Sequence, residues 1–115
     1  MKTLTLTAIA LVATLTSQAQ VKNAKTETYN VSGNCEMCKQ RIETAAFKRK
    51  ESKANWDKET HLLTLKYDSV KTTANTVLQR IADAGYDNEK FTTTTNVYNN
   101  LPSCCQYERK KASSK

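Results

Sequence analysis

Apolar and polar positions recur along the chain with two periods, and these periods predict an ordered series of strands and helices. After Glu27, an alternation of period two places Tyr29 and Val31 on one face of a strand. Apolar residues three and four positions apart then predict an amphipathic helix, and both patterns return further along. In chain order, the pattern predicts a strand at 27–32, a helix at 36–50, strands at 52–57 and 61–67, a helix at 72–84 and a short strand at 87–93.

This order of elements is that of the ferredoxin-like split β-α-β fold. The predicted fold class is therefore α+β, a βαββαβ sandwich with two helices on one face of a four-stranded antiparallel sheet. Gly33-Asn34 predicts the turn after the first strand, and Gly85 is suited to end the second helix with a positive φ. Trp56 and Phe91 are expected in the core.

The N-terminus has the features of a secretory signal peptide. Lys2 is followed by an uncharged apolar run, 4–15, and by the small-residue site Ser17-Gln18-Ala19. The run is shorter than the ~20 apolar residues of a membrane-spanning helix. We therefore expect a signal peptide at 1–19, cleavage after Ala19, and a periplasmic or secreted protein that is not integral to the membrane.

The rest of the chain is expected to form one domain with two flanking segments. The predicted divisions are a flexible lead-in at 20–27, a domain at 28–93 and a C-terminal appendage at 94–115, which carries a Cys-Cys pair and a basic tail. The chain has 115 residues and a formal net charge of +7. Its basic residues are not interleaved with aromatic ones, so nucleic-acid binding is not expected.

Cys35 and Cys38 form a C-x-x-C motif between the predicted turn and the first helix. A helix N-terminus stabilises thiolates, the form of cysteine that binds metals. Two thiolates favour soft or borderline ions such as Cu(I), Zn(II) or Hg(II). Two ligands suit transfer between proteins better than a structural zinc site, which needs four.

The predicted order of elements, the C-x-x-C motif on the first loop, and Ala84-Gly85-Tyr86-Asp87 after the second helix resemble the heavy-metal-associated domain. The resemblance covers roughly residues 28–93. That family includes copper chaperones, the N-terminal domains of metal-pumping ATPases, and periplasmic mercury-binding proteins. It implies that Cys35 and Cys38 bind the metal, and that Tyr86 lies close to it.

The same resemblance implies a carrier of Cu(I), with Hg(II) or Zn(II) as other candidates, and a metal-transporting ATPase or efflux component as partner. The chain departs from the family at the cysteine loop. Where the family reads Gly-Met-Thr-Cys, this chain reads Ser32-Gly33-Asn34-Cys35. The loop is therefore expected to differ in conformation, which affects the choice of metal more than the fold.

The vicinal pair Cys104-Cys105 has two interpretations, which the sequence leaves open. The pair could supply additional thiolates to a three- or four-sulfur site, or it could serve in a disulfide or a dimer contact. Eleven residues after Thr93 span at most ~35 Å, which exceeds the ~20 Å length of a typical strand. The appendage is therefore long enough to return to the cysteine loop.

Two other functions remain open for the C-x-x-C motif. One is a thiol-disulfide oxidoreductase, since C-x-x-C at a helix start is also a redox motif. The other is an interaction domain whose cysteines are structural. No Ser-His-Asp set, phosphate loop or pair of inward carboxylates is visible, so no enzyme is predicted.

His61 is not expected to bind a metal. It opens the third predicted strand, which is expected to run parallel to the first. His61 would then lie at the end of the sheet opposite the cysteine loop.

Overall fold

The computed structural model describes residues 21–109. The expected signal peptide, 1–19, and the end of the basic tail, 110–115, lie outside the described residues. Between these limits the chain forms strands, helices and one 3-10 turn. In chain order they are β1 (Ala24–Asn30), α1 (Glu36–Ala46), β2 (Ser52–Trp56), β3 (Leu62–Asp68), α2 (Ala74–Asp83), α3 (Thr95–Asn99) and the turn Ser103–Cys105.

The strands form one antiparallel sheet in the order β1-β3-β2. β3 lies in the centre, where Leu62 pairs with Asn30 of β1 and Leu63 pairs with Trp56 of β2. One core joins the sheet to α1 and α2, and its fully buried side chains include Ile42, Trp56, Leu63, Leu65, Val77, Leu78 and Ile81. Burying each large aliphatic side chain stabilises the fold by ~1.5–3 kcal/mol. The predicted α+β, ferredoxin-like class is confirmed.

The predicted fourth strand, 87–93, is reduced to a single bridge between Val31 and Asn88. The side-chain oxygen of Asn88 accepts hydrogen bonds from the backbone N–H groups of Lys90 (3.1 Å) and Phe91 (3.0 Å). The Asn88 N–H donates to the Phe91 carbonyl. Asparagine favours such turns, and a turn cannot continue a strand ladder. Between residues 21 and 109 the sheet therefore has three strands.

The predicted flexible lead-in at 20–27 is wrong in its second half, because β1 already begins at Ala24. Residues 24–27 pair with the end of β3. The Glu27 carboxylate accepts hydrogen bonds from the hydroxyls of Tyr29 (2.5 Å) and Tyr67 (3.0 Å). Strand pairing uses backbone groups and needs no apolar side chains. The residues of this half-strand are mostly polar and exposed, so the sequence has no apolar alternation there from which a strand could be predicted.

α1 ends at Ala46, earlier than the predicted end at Lys50. Arg80 of α2 donates to the carbonyls of Ala45 and Ala46, at 3.1 Å each, and Ser52 Oγ donates to the Ala46 carbonyl at 2.7 Å. The last carbonyls of a helix lack partners within the helix. Contacts with α2 and β2 supply those partners and end α1 at this point.

The C-terminal segment, residues 94–109, packs onto the domain. Leu101, Cys105 and Tyr107 are buried in the common core. The Tyr107 hydroxyl donates to the Gly85 carbonyl (2.7 Å) and accepts from the Asp87 N–H (2.9 Å). The predicted appendage is thus part of the folded domain over these residues.

The loop between β1 and α1 rests on Trp56. The indole N–H of Trp56 donates to the Val31 carbonyl at 2.9 Å. The ring also lies beneath Gly33, where an added Cβ would meet two ring carbons at 2.9 Å and Ile42 Cδ1 at 3.1 Å. Gly33 is therefore required by close packing.

His61 lies at the end of the sheet that leads into the cysteine loop, so its predicted position is wrong. β3 runs antiparallel to β1, and the His61 carbonyl accepts from the Val31 N–H at 2.9 Å. The exposed imidazole stacks on Trp56, with ring centroids 5.7 Å apart. His61 is not among the residues of the cysteine cluster described below.

We expect Gly33→Ala to lower the free energy of unfolding by about 1–3 kcal/mol, because the added methyl overpacks the Trp56 ring. Urea denaturation of the two single variants and the double variant with Trp56→Phe measures this. Since the smaller ring leaves room, Gly33→Ala should cost less in the Trp56→Phe background. An equal cost in both backgrounds would show that the Trp56 contact is not the cause.

Candidate metal centre

The loop between β1 and α1 places two thiols at the start of a helix. Cys35 is the N-cap residue of α1, with an extended backbone, and Cys38 lies in the first turn. Their Sγ atoms are 3.3 Å apart. The Asn34 N–H donates to Cys38 Sγ, also at 3.3 Å. The motif therefore brings both sulfurs to one point, as its spacing predicts.

The C-terminal segment brings the other two thiols to the same point. Cys105 Sγ lies 2.9 Å from Cys38 Sγ and 3.9 Å from Cys35 Sγ. Cys104 Sγ lies 3.1 Å from Cys35 Sγ. Within the described residues, the sulfurs of Cys35, Cys38 and Cys105 form a set in which all lie within 4.8 Å of one another.

The four thiols differ in exposure. Cys38 and Cys105 are 0% exposed, Cys35 is partly exposed and Cys104 is exposed. None of the four, all of which lie in the described part of the chain, forms a disulfide. The cluster therefore runs from solvent at Cys104 and Cys35 to the core at Cys38 and Cys105.

The thiols of Cys35, Cys104 and Cys105 differ in how readily they ionise. Burial acts to raise the pKa of Cys35, but hydrogen bonds with Cys104, and then with Cys38, outweigh it and lower this pKa to about 7. Burial, followed by the hydrogen bond with Cys38, raises the pKa of Cys105 to about 12. The hydrogen bond with Cys35 raises the pKa of Cys104. One thiolate therefore forms first, at Cys35, while Cys104 and Cys105 retain their protons.

Tyr86 lies on the buried side of the cluster. Its ring is 0% exposed and stacks on Tyr107, with centroids 5.9 Å apart. Burial, and next the thiol of Cys105, raise the pKa of Tyr86 well above its usual range. Among the described residues its buried hydroxyl has no partner at hydrogen-bonding geometry. The sulfurs of the cluster are the acceptors to which this hydroxyl can donate a hydrogen bond.

The sequence left the position of Cys104-Cys105 open, and the fold places the pair at the C-x-x-C motif. The signal available in the sequence was the apolar content of the segment, Leu101 and Tyr107 above all. Both residues are buried in the core. The segment thus packs on the domain through these side chains and carries the two cysteines with it.

Two solved structures resemble this protein. One is a CopZ metallochaperone, with a TM-score of 0.52 and 29% sequence identity, covering 56% of this chain and 98% of that chain. The other is oxidized MerP from Ralstonia metallidurans CH34, with a TM-score of 0.53 and 28% identity, covering 57% of this chain and 94% of that one. No protein-family model and no curated protein matches the chain.

These neighbours and the cysteine cluster confirm the resemblance to the heavy-metal-associated domain. The shared part is nearly the whole of each neighbour but little more than half of this chain. In the part of the chain from 21 to 109, no helix has the length and apolar character needed to cross a bilayer.

We expect the cluster to react first at Cys35, because its pKa of about 7 lies below the ordinary value of 9.0. Iodoacetamide labelling from pH 5 to 9, followed by peptide mass mapping, should show a rate at Cys35 that is half-maximal near pH 7. Below that pH the thiolate is protonated, so the rate should fall about tenfold per pH unit.

Cys104 is the internal control, since it is more exposed and its pKa is raised. Cys104→Ala should move the midpoint at Cys35 upward, because it removes a thiol whose hydrogen bond lowers the pKa of Cys35. Faster labelling of Cys104 than of Cys35 at pH 7 would contradict this assignment of the first thiolate.

Proposed function

We propose that the protein binds a thiophilic metal ion as cargo through Cys35 and Cys38 and passes it on by thiolate exchange. One observation carries the proposal: two sulfurs lie 3.3 Å apart at the N-terminus of α1. The pKa of Cys35, about 7, makes a substantial fraction of this thiol ionised at neutral pH. A metal ion then needs to displace few protons in order to bind.

The ligand chemistry favours a soft ion. Thiolates select soft or borderline metals such as Cu(I) and Zn(II), and carboxylate ligands would be needed for a hard ion. We place Cu(I) first because of the resemblance to copper chaperones, and Hg(II) or Zn(II) after it. One structural neighbour is described as a metallochaperone, which supports a carrier. Binding and release by ligand exchange require no enzymatic turnover, so we propose that the protein is not an enzyme.

We further propose that the carrier works in the periplasm or outside the cell. The proposal rests on the apolar run and small-residue site of residues 1–19. A metal-transporting ATPase or an efflux component would be the partner that exchanges ions with it, as in the family that the chain resembles. Nucleic acid is not proposed as a partner.

A thiol-disulfide oxidoreductase is the second candidate function. A thiol of pKa about 7 with a second thiol at 3.3 Å is also the arrangement that dithiol exchange uses. The third candidate, an interaction domain with structural cysteines, is favoured by the complete burial of Cys38 and Cys105. Metal stoichiometry separates the first function from the other two, and a measured reduction potential identifies the second.

Anaerobic titration of the reduced protein, residues 20–115, with Cu(I), Hg(II) and Zn(II) against a competing chelator tests the carrier function. We expect one ion per chain. In Cys35→Ser/Cys38→Ser the affinity should fall by more than about 100-fold, because loss of outer-shell contacts alone costs about 10- to 100-fold.

Circular dichroism of the metal-free variant controls for loss of fold. Wild-type protein that retains none of the three ions, or a folded double variant that binds as tightly as the wild type, would contradict the carrier function. Disulfide-exchange activity in the wild type would then favour the oxidoreductase.

A further inference from the structure

The C-terminal segment holds Cys105 in the core next to the C-x-x-C motif. Tyr107, two residues on, is anchored to the Gly85 carbonyl and the Asp87 N–H. Leu101 lies against Gly85, where an added Cβ would meet a Leu101 methyl at 2.7 Å. Gln106 donates from its side chain to the Leu101 carbonyl at 3.2 Å. The 3-10 turn that carries Cys105 is therefore fixed on both sides.

We propose that Cys105 is a third ligand to the cargo ion, and that Cys104 is the thiol through which the ion enters and leaves. The inference rests on the carrier function proposed above and deepens it. It divides the Cys104-Cys105 pair into two different roles. It also makes the bound ion three-coordinate and largely buried.

The distances support a three-sulfur site. A trigonal ion with bonds of ~2.3 Å holds its sulfurs ~4.0 Å apart. The sulfurs of Cys35 and Cys105 are already 3.9 Å apart, and those of Cys35 and Cys38 are 3.3 Å apart. The shortest separation, 2.9 Å between Cys38 and Cys105, needs to widen by roughly 1 Å. Side-chain rotation is sufficient for changes of this size.

The surroundings of Cys105 support the same role. Its sulfur is 0% exposed, and the polar groups beside it are other thiols and the Tyr86 hydroxyl. The neighbouring Tyr86 hydroxyl is buried without a hydrogen-bond partner in the described structure. Hydrogen bonds to ionised acceptors are about twice as strong as neutral ones. A metal-bound thiolate at Cys105 would give this hydroxyl an acceptor.

Cys104 differs from Cys105 in both position and exposure. It is exposed, its sulfur contacts Cys35 at 3.1 Å, and it does not belong to the three-sulfur set. A partner's thiolate can therefore reach the ion at the Cys104 and Cys35 side of the cluster. The adjacent position in the chain keeps Cys104 within reach of the ion when Cys105 is bound.

The entry step is a ligand exchange in which no electrons are transferred. The bond between the ion and an external thiolate breaks as a bond to Cys104 Sγ forms, and the proton of Cys104 passes to the departing thiolate. Cys35 and Cys38 bind the ion as its remaining external ligands leave, and each departing ligand takes any proton that the incoming thiol carries. Cys105 then displaces Cys104, and the proton of Cys105 passes to Cys104. Release runs through these steps in reverse.

The test uses Cu(I) as the probe and X-ray absorption to count sulfur neighbours of the bound ion. We expect three sulfurs in the wild type and in Cys104→Ser, and two in Cys105→Ser. The affinity of Cys105→Ser should fall by more than about 100-fold, because loss of an outer-shell contact alone costs about 10- to 100-fold. Cys104→Ser should stay within about twofold of the wild type in affinity but lose Cu(I) to excess glutathione at least about tenfold more slowly.

Ser103→Ala, in the same turn, is the matched control and should behave as the wild type in all three readouts. Cys105→Ala is a second variant in case the serine does not fold at this buried position. Two sulfurs around Cu(I) in the wild type, or full affinity in a folded Cys105 variant, would overturn the third ligand. An affinity loss in Cys104→Ser equal to that in Cys105→Ser would overturn the exchange role and indicate a closed four-sulfur site.

Failure of the carrier function has a different signature. In that case the wild type does not retain Cu(I), or Cys35→Ser/Cys38→Ser retains it as tightly as the wild type. If Cu(I) binding depends on Cys35 and Cys38 but not on Cys105, the carrier function stands and the third ligand alone is wrong.

Discussion

The contact between Trp56 and the cysteine loop is the constraint on which the site depends. The indole N–H holds the Val31 carbonyl at the end of β1, and the ring fills the space beneath Gly33. The chain therefore leaves the sheet in a fixed direction and enters α1 at Cys35. Trp56 belongs to β2, which meets β1 only through β3. The conformation of the loop thus depends on a contact with a strand that is not a neighbour of β1 in the sheet.

A second constraint couples the C-terminal segment to that loop. Tyr107 connects the segment to the chain after α2, and its neighbour Cys105 meets Cys38 in the core. Thiols at these distances form hydrogen bonds with one another, so the readily ionised sulfur of Cys35 near the surface is combined with the protonated sulfur of Cys105 inside. That combination suits the exchange of soft ions, because an ion can enter at the exposed thiols and then gain the buried ones as ligands as protons leave.

The short fourth strand and the position of the C-terminal segment are parts of one chain path. Asn88 closes a turn soon after α2, so the chain does not extend along the edge of β1. It then passes through α3 and returns to the cysteine loop at Ser103–Cys105. The two solved neighbours share little more than half of this chain. The remaining residues of this chain lie outside the part that the two neighbours match.

The sequence by itself determined the fold class and the position of the C-x-x-C motif at a helix start. These follow from short-range patterns: the alternation that buries Leu63 and Leu65, the helical spacing of Val77, Leu78 and Ile81, and the three-residue step from Cys35 to Cys38. The start of β1 was missed because its pairing uses backbone groups, and the fourth strand was overpredicted because one asparagine side chain closes a turn.

Only the tertiary structure decided which groups from distant parts of the chain meet. Cys105 is 67 residues from Cys38 in sequence, and no periodicity extends over such a distance. His61 was misplaced because the third strand was expected to run parallel to the first. A helical crossover followed by a hairpin makes these two strands antiparallel, as the sheet shows. The contacts arise where Leu101 and Tyr107 bury their side chains in the core. Burial of apolar surface is non-directional, so its outcome depends on the shape of the assembled core and not on the local sequence.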